Sequence, residues 1–210
     1  MTGIRALLFD LDGTLYVNNG LGVEIRLAAC RYIGELKGVG TEEANSLIDE
    51  TKKSLSAASG RDTSLGVACI ELGGDLRELH RRFAREVDPV PFLSRDAKVI
   101  ELLRELNSRL DLHIYTNNNQ ILSKKIMDKI GVGGYFREVF TIETFWRPKP
   151  DRECLTEIFS RIGMMPEECL FIGDRYDIDL RLPAEMGSSV LFVKNTEDLL
   201  HLAVILGRNY

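Results

Sequence analysis

Apolar residues recur in two rhythms along this chain, and the change of rhythm divides it. The run Ile4 to Phe9, broken only by Arg5, is short and nearly continuous, the pattern of a buried strand. From residue 16 to about 93 the spacing is helical. Ile25, Ala28, Ala29, Tyr32, Ile33 and Leu36 share one helix face. Ala44, Leu47, Ile48, Thr51 and Leu55 form a second stripe behind Thr41, read as an N-cap followed by Glu42 and Glu43. A shorter helix is predicted from about Ser64 to Leu72, stopped at Gly73-Gly74. Asp75 and Glu78 make a capping-box pattern for a fourth helix, with Leu76, Leu79, Phe83 and Val87 inward. Asp88-Pro89-Val90-Pro91 reads as a linker.

Beyond Pro91 strands and helices alternate. Val99, Leu102, Leu103, Leu106 and Leu110 predict a long amphipathic helix, and Leu112 to Tyr115 a strand. A helix follows from Gln120 to Ile130, ended by Gly131, then a short strand over Glu138 to Thr141. Leu155, Ile158, Phe159 and Ile162 mark a helix. Cys169 to Gly173 is a strand, Ile178 to Met186 a helix, Val190 to Val193 a strand and Asp198 to Leu206 a final helix. This order predicts an α/β fold: a Rossmann-like parallel sheet with helices on both faces. The predicted division is a core of residues 1–15 and 94–210, with a small α-helical domain, 16–93, inserted after the first strand.

Composition excludes several classes. The 210 residues are 44% hydrophobic and 28% charged, ordinary for a globular protein, with a formal net charge of −5 and no basic stripe. Nucleic acid is therefore not an expected partner. No apolar run approaches the roughly 18 residues of a membrane span, and Asp10 and Asp12 fall where a leader would be apolar. Cys30, Cys69, Cys154 and Cys169 are scattered and form no C-x-x-C pair, as expected for buried free thiols in a cytoplasmic protein. The oligomeric state leaves no signature in the chain.

In open α/β sheets, sites lie at the carboxyl ends of the strands. Four polar clusters occupy such positions. The first strand ends in Asp10-Leu11-Asp12-Gly13-Thr14-Leu15. The next ends in Thr116-Asn117, Lys149 sits in Arg147-Pro148-Lys149-Pro150, and Cys169 to Gly173 runs into Asp174, with Asp177 and Asp179 beyond. Each cluster alone has a plain reading: a hairpin turn at Asp12-Gly13, a helix cap at Thr116, a solvated loop lysine at 149. An EF-hand loop fails, because Leu21 stands at its twelfth position. Two carboxylates set together repel unless a cation shares them, and a divalent ion with oxygen ligands answers that need.

With these residues in this order, the chain resembles the haloacid dehalogenase-like hydrolase superfamily over nearly its whole length. Asp10 to Leu15 matches the family's first motif, Thr116 the second, Lys149 the third, and Gly173-Asp174 with Asp179 the fourth. The helical block matches the position of the family's inserted cap. The resemblance implies a Mg²⁺-dependent phosphomonoester hydrolase. Asp10 would be the nucleophile, forming an aspartyl-phosphate. Asp12 would protonate the leaving alcohol and then deprotonate water. Mg²⁺ would bind Asp10, the backbone carbonyl of Asp12 and Asp174, with Asp179 holding a metal-bound water or Lys149. Thr116, helped by a backbone amide at or near Asn117, would bind the phosphoryl group, and Lys149 would offset its charge.

The chain departs from the family where a small residue commonly follows the first aspartate of the fourth motif. Arg175 stands there, expected to pair with Asp177 or face the cap. His80, His113 and His201 are expected to be surface or satisfied core residues, and Phe145 and Trp146 to pack the Lys149 loop. The dehalogenase branch carries Tyr where Asp12 stands, and the ATPase branch a Thr preceded by Lys in far larger chains. A phosphomutase keeps both aspartates, and a phosphate-binding module without turnover is the alternative outside enzymes. The expected substrate is a small phosphate ester, nucleoside monophosphates ranked ahead of phosphoglycolate or sugar phosphates. That ranking rests on Tyr16 as a stacking surface within a segment similar to the start of pyrimidine 5′-nucleotidase-like members, although packing is the plainer reading of Tyr16. Lys52, Lys53, Arg61, Arg81, Arg82 and Arg85 are the candidate selecting groups of the cap, although solvated helix charge is the plainer reading of most of them.

Overall fold

The structure, a computed structural model, describes residues 3–207. The outermost positions of the core span read from the sequence, 1–2 and 208–210, lie outside it. Five strands, β1 (Ala6–Phe9), β2 (Asp111–Tyr115), β3 (Glu138–Phe140), β4 (Cys169–Gly173) and β5 (Ser189–Phe192), form one parallel sheet in the order β3-β2-β1-β4-β5. Strand alternation gives it two apolar faces. Leu7, Phe9, Leu112, Ile114, Leu170 and Ile172 pack with α5 (Ala97–Asn107), α6 (Gln120–Ile130) and α10 (Thr196–Gly207). Ala6, Leu8, Tyr115, Cys169 and Phe171 pack with α8 (Arg152–Ile162) on the other face. The predicted α/β sheet, covered on both faces, is the fold observed.

Four helices, α1 (Asn19–Lys37), α2 (Thr41–Ser59), α3 (Leu65–Glu71) and α4 (Leu76–Glu86), intervene between β1 and α5. Their ends follow local chemistry. Asn18 caps α1 by accepting the Leu21 N–H, and Gly38 ends it at φ 69°. Asp75 caps α4 through the Glu78 N–H. The cap of α2 is Gly40, with no side-chain bond, so Thr41 is its first helical residue and not its cap. The buried side chains of α1–α4 join those beneath α5 and α10 in one continuous cluster. Hydrogen bonds also cross from core to block: Asn119 Nδ2 donates to the His80 carbonyl at 3.0 Å and the Asp62 N–H donates to Asp177 at 2.9 Å.

Several boundaries differ from the sequence pattern. The helix over Val99 to Leu110 stops at Asn107, and Leu110 is buried in the turn before β2. The helix expected over Ile178 to Met186 is divided into a wide turn of π type, Tyr176–Leu180, and α9, Arg181–Glu185. Pro183 has no N–H to bond one turn back, so a regular helix begins only just before it. Thr141 leaves β3 to precede α7 (Ile142–Phe145), and Val193 lies just past β5, its N–H on the Gly173 carbonyl at 3.0 Å. Among the described residues no helix is long and apolar enough to cross a membrane.

The α1 stripe separates core from surface more sharply than its spacing suggests. Ile33 is 0% exposed and Leu36 is 47% exposed. Ile33→Ala is expected to destabilise the fold by about 2–5 kcal/mol, and Leu36→Ala by no more than about 0.5 kcal/mol. Urea titration of the two variants against the parent chain checks this difference.

Candidate active site

The sheet changes direction of winding at β1, which has β2 on one side and β4 on the other. The crevice beyond the carboxyl ends of these strands is where such sheets place ligands. Asp10 follows β1 directly, and its N–H still bonds the Ile172 carbonyl of β4 at 2.8 Å. The chain then turns sharply, with the Gly13 N–H on the Tyr16 carbonyl at 2.9 Å. Gly13 is at φ 83°, and a Cβ there would stand 2.3 Å from Asp174 Oδ2. Glycine is thus required twice over, for the backbone angle and for the approach of Asp174.

Lys149 is buried beneath the crevice. Its ammonium has three protons and finds three acceptors: Asp10 Oδ1 at 2.6 Å, Asp179 Oδ1 at 2.6 Å and the Tyr115 carbonyl at 2.8 Å. Asn117 Oδ1 accepts the Lys149 backbone N–H at 2.8 Å, which fixes the loop that carries it. Burial opposes the lysine's charge, but Asp10 and Asp179 outweigh it and hold its pKa above the ordinary value. Asp179 Oδ2 accepts the Arg175 N–H at 3.2 Å, so both of its oxygens have partners.

Two carboxylate oxygens are left over. Asp10 Oδ2 and Asp174 Oδ1 are buried and have no hydrogen-bond partner. Ligand atoms of Asp10, Asp174 and Asp179 all lie within 4.8 Å of one another. Burial pushes the Asp10 carboxyl up to about 7 against the pull of Lys149, and raises Asp174 against that of Arg175. Unpartnered hard oxygens whose ionised forms are disfavoured by burial suit a divalent cation such as Mg²⁺.

Asp12 is held differently. Tyr16 Oη donates to its Oδ1, and Asn118 Nδ2 donates to its Oδ2 at 2.5 Å. Burial raises its pKa while the Tyr16 bond lowers it. Thr116 Oγ1 accepts the Asn118 N–H at 3.1 Å, which leaves the hydroxyl proton free to donate. Thr116 is therefore no helix cap; Asn119 caps α6, accepting the Leu122 N–H at 2.8 Å.

Asp10, Asp12, Thr116, Asn117 and Asp174 line one cleft of about 820 Å³, with Lys149 and Asp179 beneath it. Of the metal set read from the sequence, Asp10, Asp174 and Asp179 meet, while the Asp12 carboxylate is drawn away by its two donors. Arg175 does not pair with Asp177. Its Nε lies 3.9 Å from Asp174 and 3.8 Å from Asp179, while Asp177 pairs with Arg181 at 3.3 Å.

The histidine expectation fails at two positions. His113 is buried in β2 with both ring nitrogens unpartnered, and His80 lines the cleft from α4, 5% exposed, with Nδ1 unpartnered. Burial lowers the His80 pKa to about 4, so it meets the cleft as a neutral ring. None of the six basic residues expected to select the substrate lines the cleft; Arg82, for example, is taken by Glu35 and Glu78. Arg26 and Asn45 line it instead. Trp146 packs under Arg77 at 4.3 Å, and Phe145 stacks on Phe140, which is the packing role expected of that loop. The roles of Tyr16 and Asn118 carried no motif signal beyond the run Asn117-Asn118-Asn119 at a strand end.

A family model described as haloacid dehalogenase-like hydrolase matches residues 4–187. A glyceraldehyde 3-phosphate phosphatase of Methanocaldococcus jannaschii is 28% identical over 188 residues, 88% of this chain and 82% of that protein. A phosphoglycolate phosphatase of Salmonella choleraesuis is 30% identical over 197 residues, covering 85% of this chain and 77% of its own. Among solved structures, a HAD phosphatase from Thermococcus onnurineus superposes with a TM-score of 0.62 at 22% identity, over 97% of this chain and 98% of that one.

Lys149→Met leaves Asp10 and Asp179 buried together without their shared cation, and is expected to cost about 3–5 kcal/mol near neutral pH. Lys149 holds the Asp10 pKa down, so without it the carboxyl rises further above its ordinary value of 3.8, and the deficit shrinks progressively as pH falls toward that ordinary value. Denaturation of parent and variant at pH 7 and pH 5 measures both effects.

Proposed function

We propose, from the premise that this chain belongs to the haloacid dehalogenase-like hydrolase family, that it is a Mg²⁺-dependent phosphomonoesterase acting through an aspartyl-phosphate. The observation that carries this reading is the pair of buried carboxylate oxygens without a hydrogen bond, Asp10 Oδ2 and Asp174 Oδ1, beside the buried ammonium of Lys149. Asp10 and Asp174 would hold the cation, with the Asp12 carbonyl as the family resemblance implies. Bound there, Mg²⁺ supplies charge neutralisation for the phosphoryl oxygens.

The chain's own groups account for the remaining steps. Lys149 fixes the Asp10 carboxylate and neutralises part of its charge. Asp10 attacks phosphorus, a bond forms between its oxygen and phosphorus, and the bond to the leaving alcohol breaks. Asp12 gives that alcohol its proton, then takes one from the water that attacks the aspartyl-phosphate. Phosphate departs and Asp10 is regenerated. Thr116 donates its free hydroxyl proton to a phosphoryl oxygen. Residues 16–93 act as the cap, with His80 and the bonded pair Arg26 and Asn45 lining the cleft.

The substrate reading moves away from nucleotides. Tyr16 is only 8% exposed and its hydroxyl is bonded to Asp12, which leaves little ring face for a base, so the stacking argument that ranked nucleoside monophosphates first loses its support. The named relatives are phosphatases of two- and three-carbon phosphates, and phosphoglycolate and triose phosphates now rank first.

Three outcomes are expected in a phosphate-release assay. Phosphate release requires Mg²⁺ and stops in excess chelator. Asp10→Asn reduces turnover to the uncatalysed background. Asp174→Asn raises the Mg²⁺ concentration needed for half-maximal rate by at least about tenfold. Full activity in chelator would exclude the metal, and sustained turnover by the Asp10 variant would exclude the covalent route.

A further inference from the structure

Asp12 has both carboxylate oxygens engaged, by donors from two different parts of the chain. Asn118 belongs to the loop after β2 and is itself tied to the core: its N–H bonds Thr116 Oγ1 at 3.1 Å and its carbonyl accepts the Ile142 N–H at 3.0 Å. Tyr16 closes the sharp turn that carries Asp12, accepting the Gly13 N–H, and stands two residues before Asn18, the cap of α1. Its ring is buried, and Asp12 is the hydrogen-bond acceptor recorded for its hydroxyl. A phenylalanine would fill the same apolar space. The hydroxyl is needed only for Asp12, because a buried phenol requires a partner.

We propose that Tyr16 is a positioning residue for proton transfer, setting the Asp12 carboxyl at the angle from which it serves the leaving-group oxygen. The proposal rests on the acid-base role given to Asp12 above. Two fixed donors stop rotation of the carboxyl group and leave one lone pair on each oxygen for the reacting atoms. An acid held in place has no orientational freedom to lose as the alcohol departs. Burial and the neighbouring carboxylate raise the Tyr16 pKa, so the phenol stays a donor throughout the working range. Among the described residues the other donor recorded on Asp12 is Asn118, and it bonds the opposite oxygen, so the Tyr16 hydroxyl holds Oδ1.

The role is separable from packing by its dependence on the leaving group. Alkyl esters such as phosphoglycolate need a proton on the departing oxygen, whereas p-nitrophenyl phosphate departs as a stable anion. The readout is kcat/KM, which covers every step through departure of the alcohol. Tyr16→Phe is expected to lower kcat/KM for phosphoglycolate by about tenfold or more, within the reach of acid-base catalysis, and for p-nitrophenyl phosphate by less than about twofold. The melting temperature reports any loss of packing. Asp12→Asn, measured on the same two esters, must discriminate in the same direction and more strongly. If both esters lose equally in Tyr16→Phe, or neither does, while Asp12→Asn discriminates, Tyr16 has no positioning role. If Asp12→Asn itself fails to discriminate, the acid-base reading falls and the Tyr16 proposal with it.

Discussion

The ammonium of Lys149 is the charge on which the arrangement turns. Two carboxylates, Asp10 and Asp179, approach it from β1 and from the turn after β4, and neither could be buried so deeply without it. Its third proton goes to the Tyr115 carbonyl at the end of β2, so one side chain joins three strand ends. Isolated burial of a lysine is costly, and the acceptors that offset this cost must themselves be placed by the sheet. The sheet order and the buried cation therefore belong together: only with β1 between β2 and β4 do these acceptors surround one point.

The division of labour among the aspartates follows from what each is bonded to. Asp179 has both oxygens partnered and serves Lys149 and the backbone of Arg175. Asp10 divides its oxygens, one to Lys149 and one without a hydrogen bond, while Asp174 brings a second oxygen without a hydrogen bond across the missing side chain of Gly13. The hydrogen-bond donors recorded on Asp12, Tyr16 and Asn118, are both neutral. Four residues of one type thus stand in different bonding environments set by their neighbours, with no change of side chain.

Much of this was legible in the chain. The strand-end positions of Asp10, Thr116 and Asp174 follow from apolar runs that stop at polar residues, and the parallel sheet follows from their alternation with helices. Lys149 was legible as a member of a motif, but its burial was not, since a lysine between prolines carries no mark of the acceptors waiting below it. Long-range pairings escaped for the same reason. Tyr16 read as packing because its partner role lies in one hydroxyl, and Asn118 because its target is more than a hundred residues away in the chain. His80 sits at an apolar helical position, and spacing alone could not separate a satisfied core histidine from one turned into a cleft. The basic residues of the block misled because helix-surface cations find carboxylates on neighbouring helices, as Arg82 does.

The first strand has a further consequence, for the order in which the molecule is made. Ala6 pairs with Asp111 on one side and with Cys169 on the other. β1 is synthesised before both of its partners, so both edges of its backbone must wait, and the second waits until β4 has followed. Helices α1–α4 are local structures that can form in that interval, whereas the β1 pairings are contacts of high sequence separation, whose closure slows folding. A nascent chain halted before β4 therefore carries an apolar strand with an unpaired edge, the kind of segment that associates with other chains. In this architecture the strand that leads into Asp10 is also the one whose exposure lasts longest.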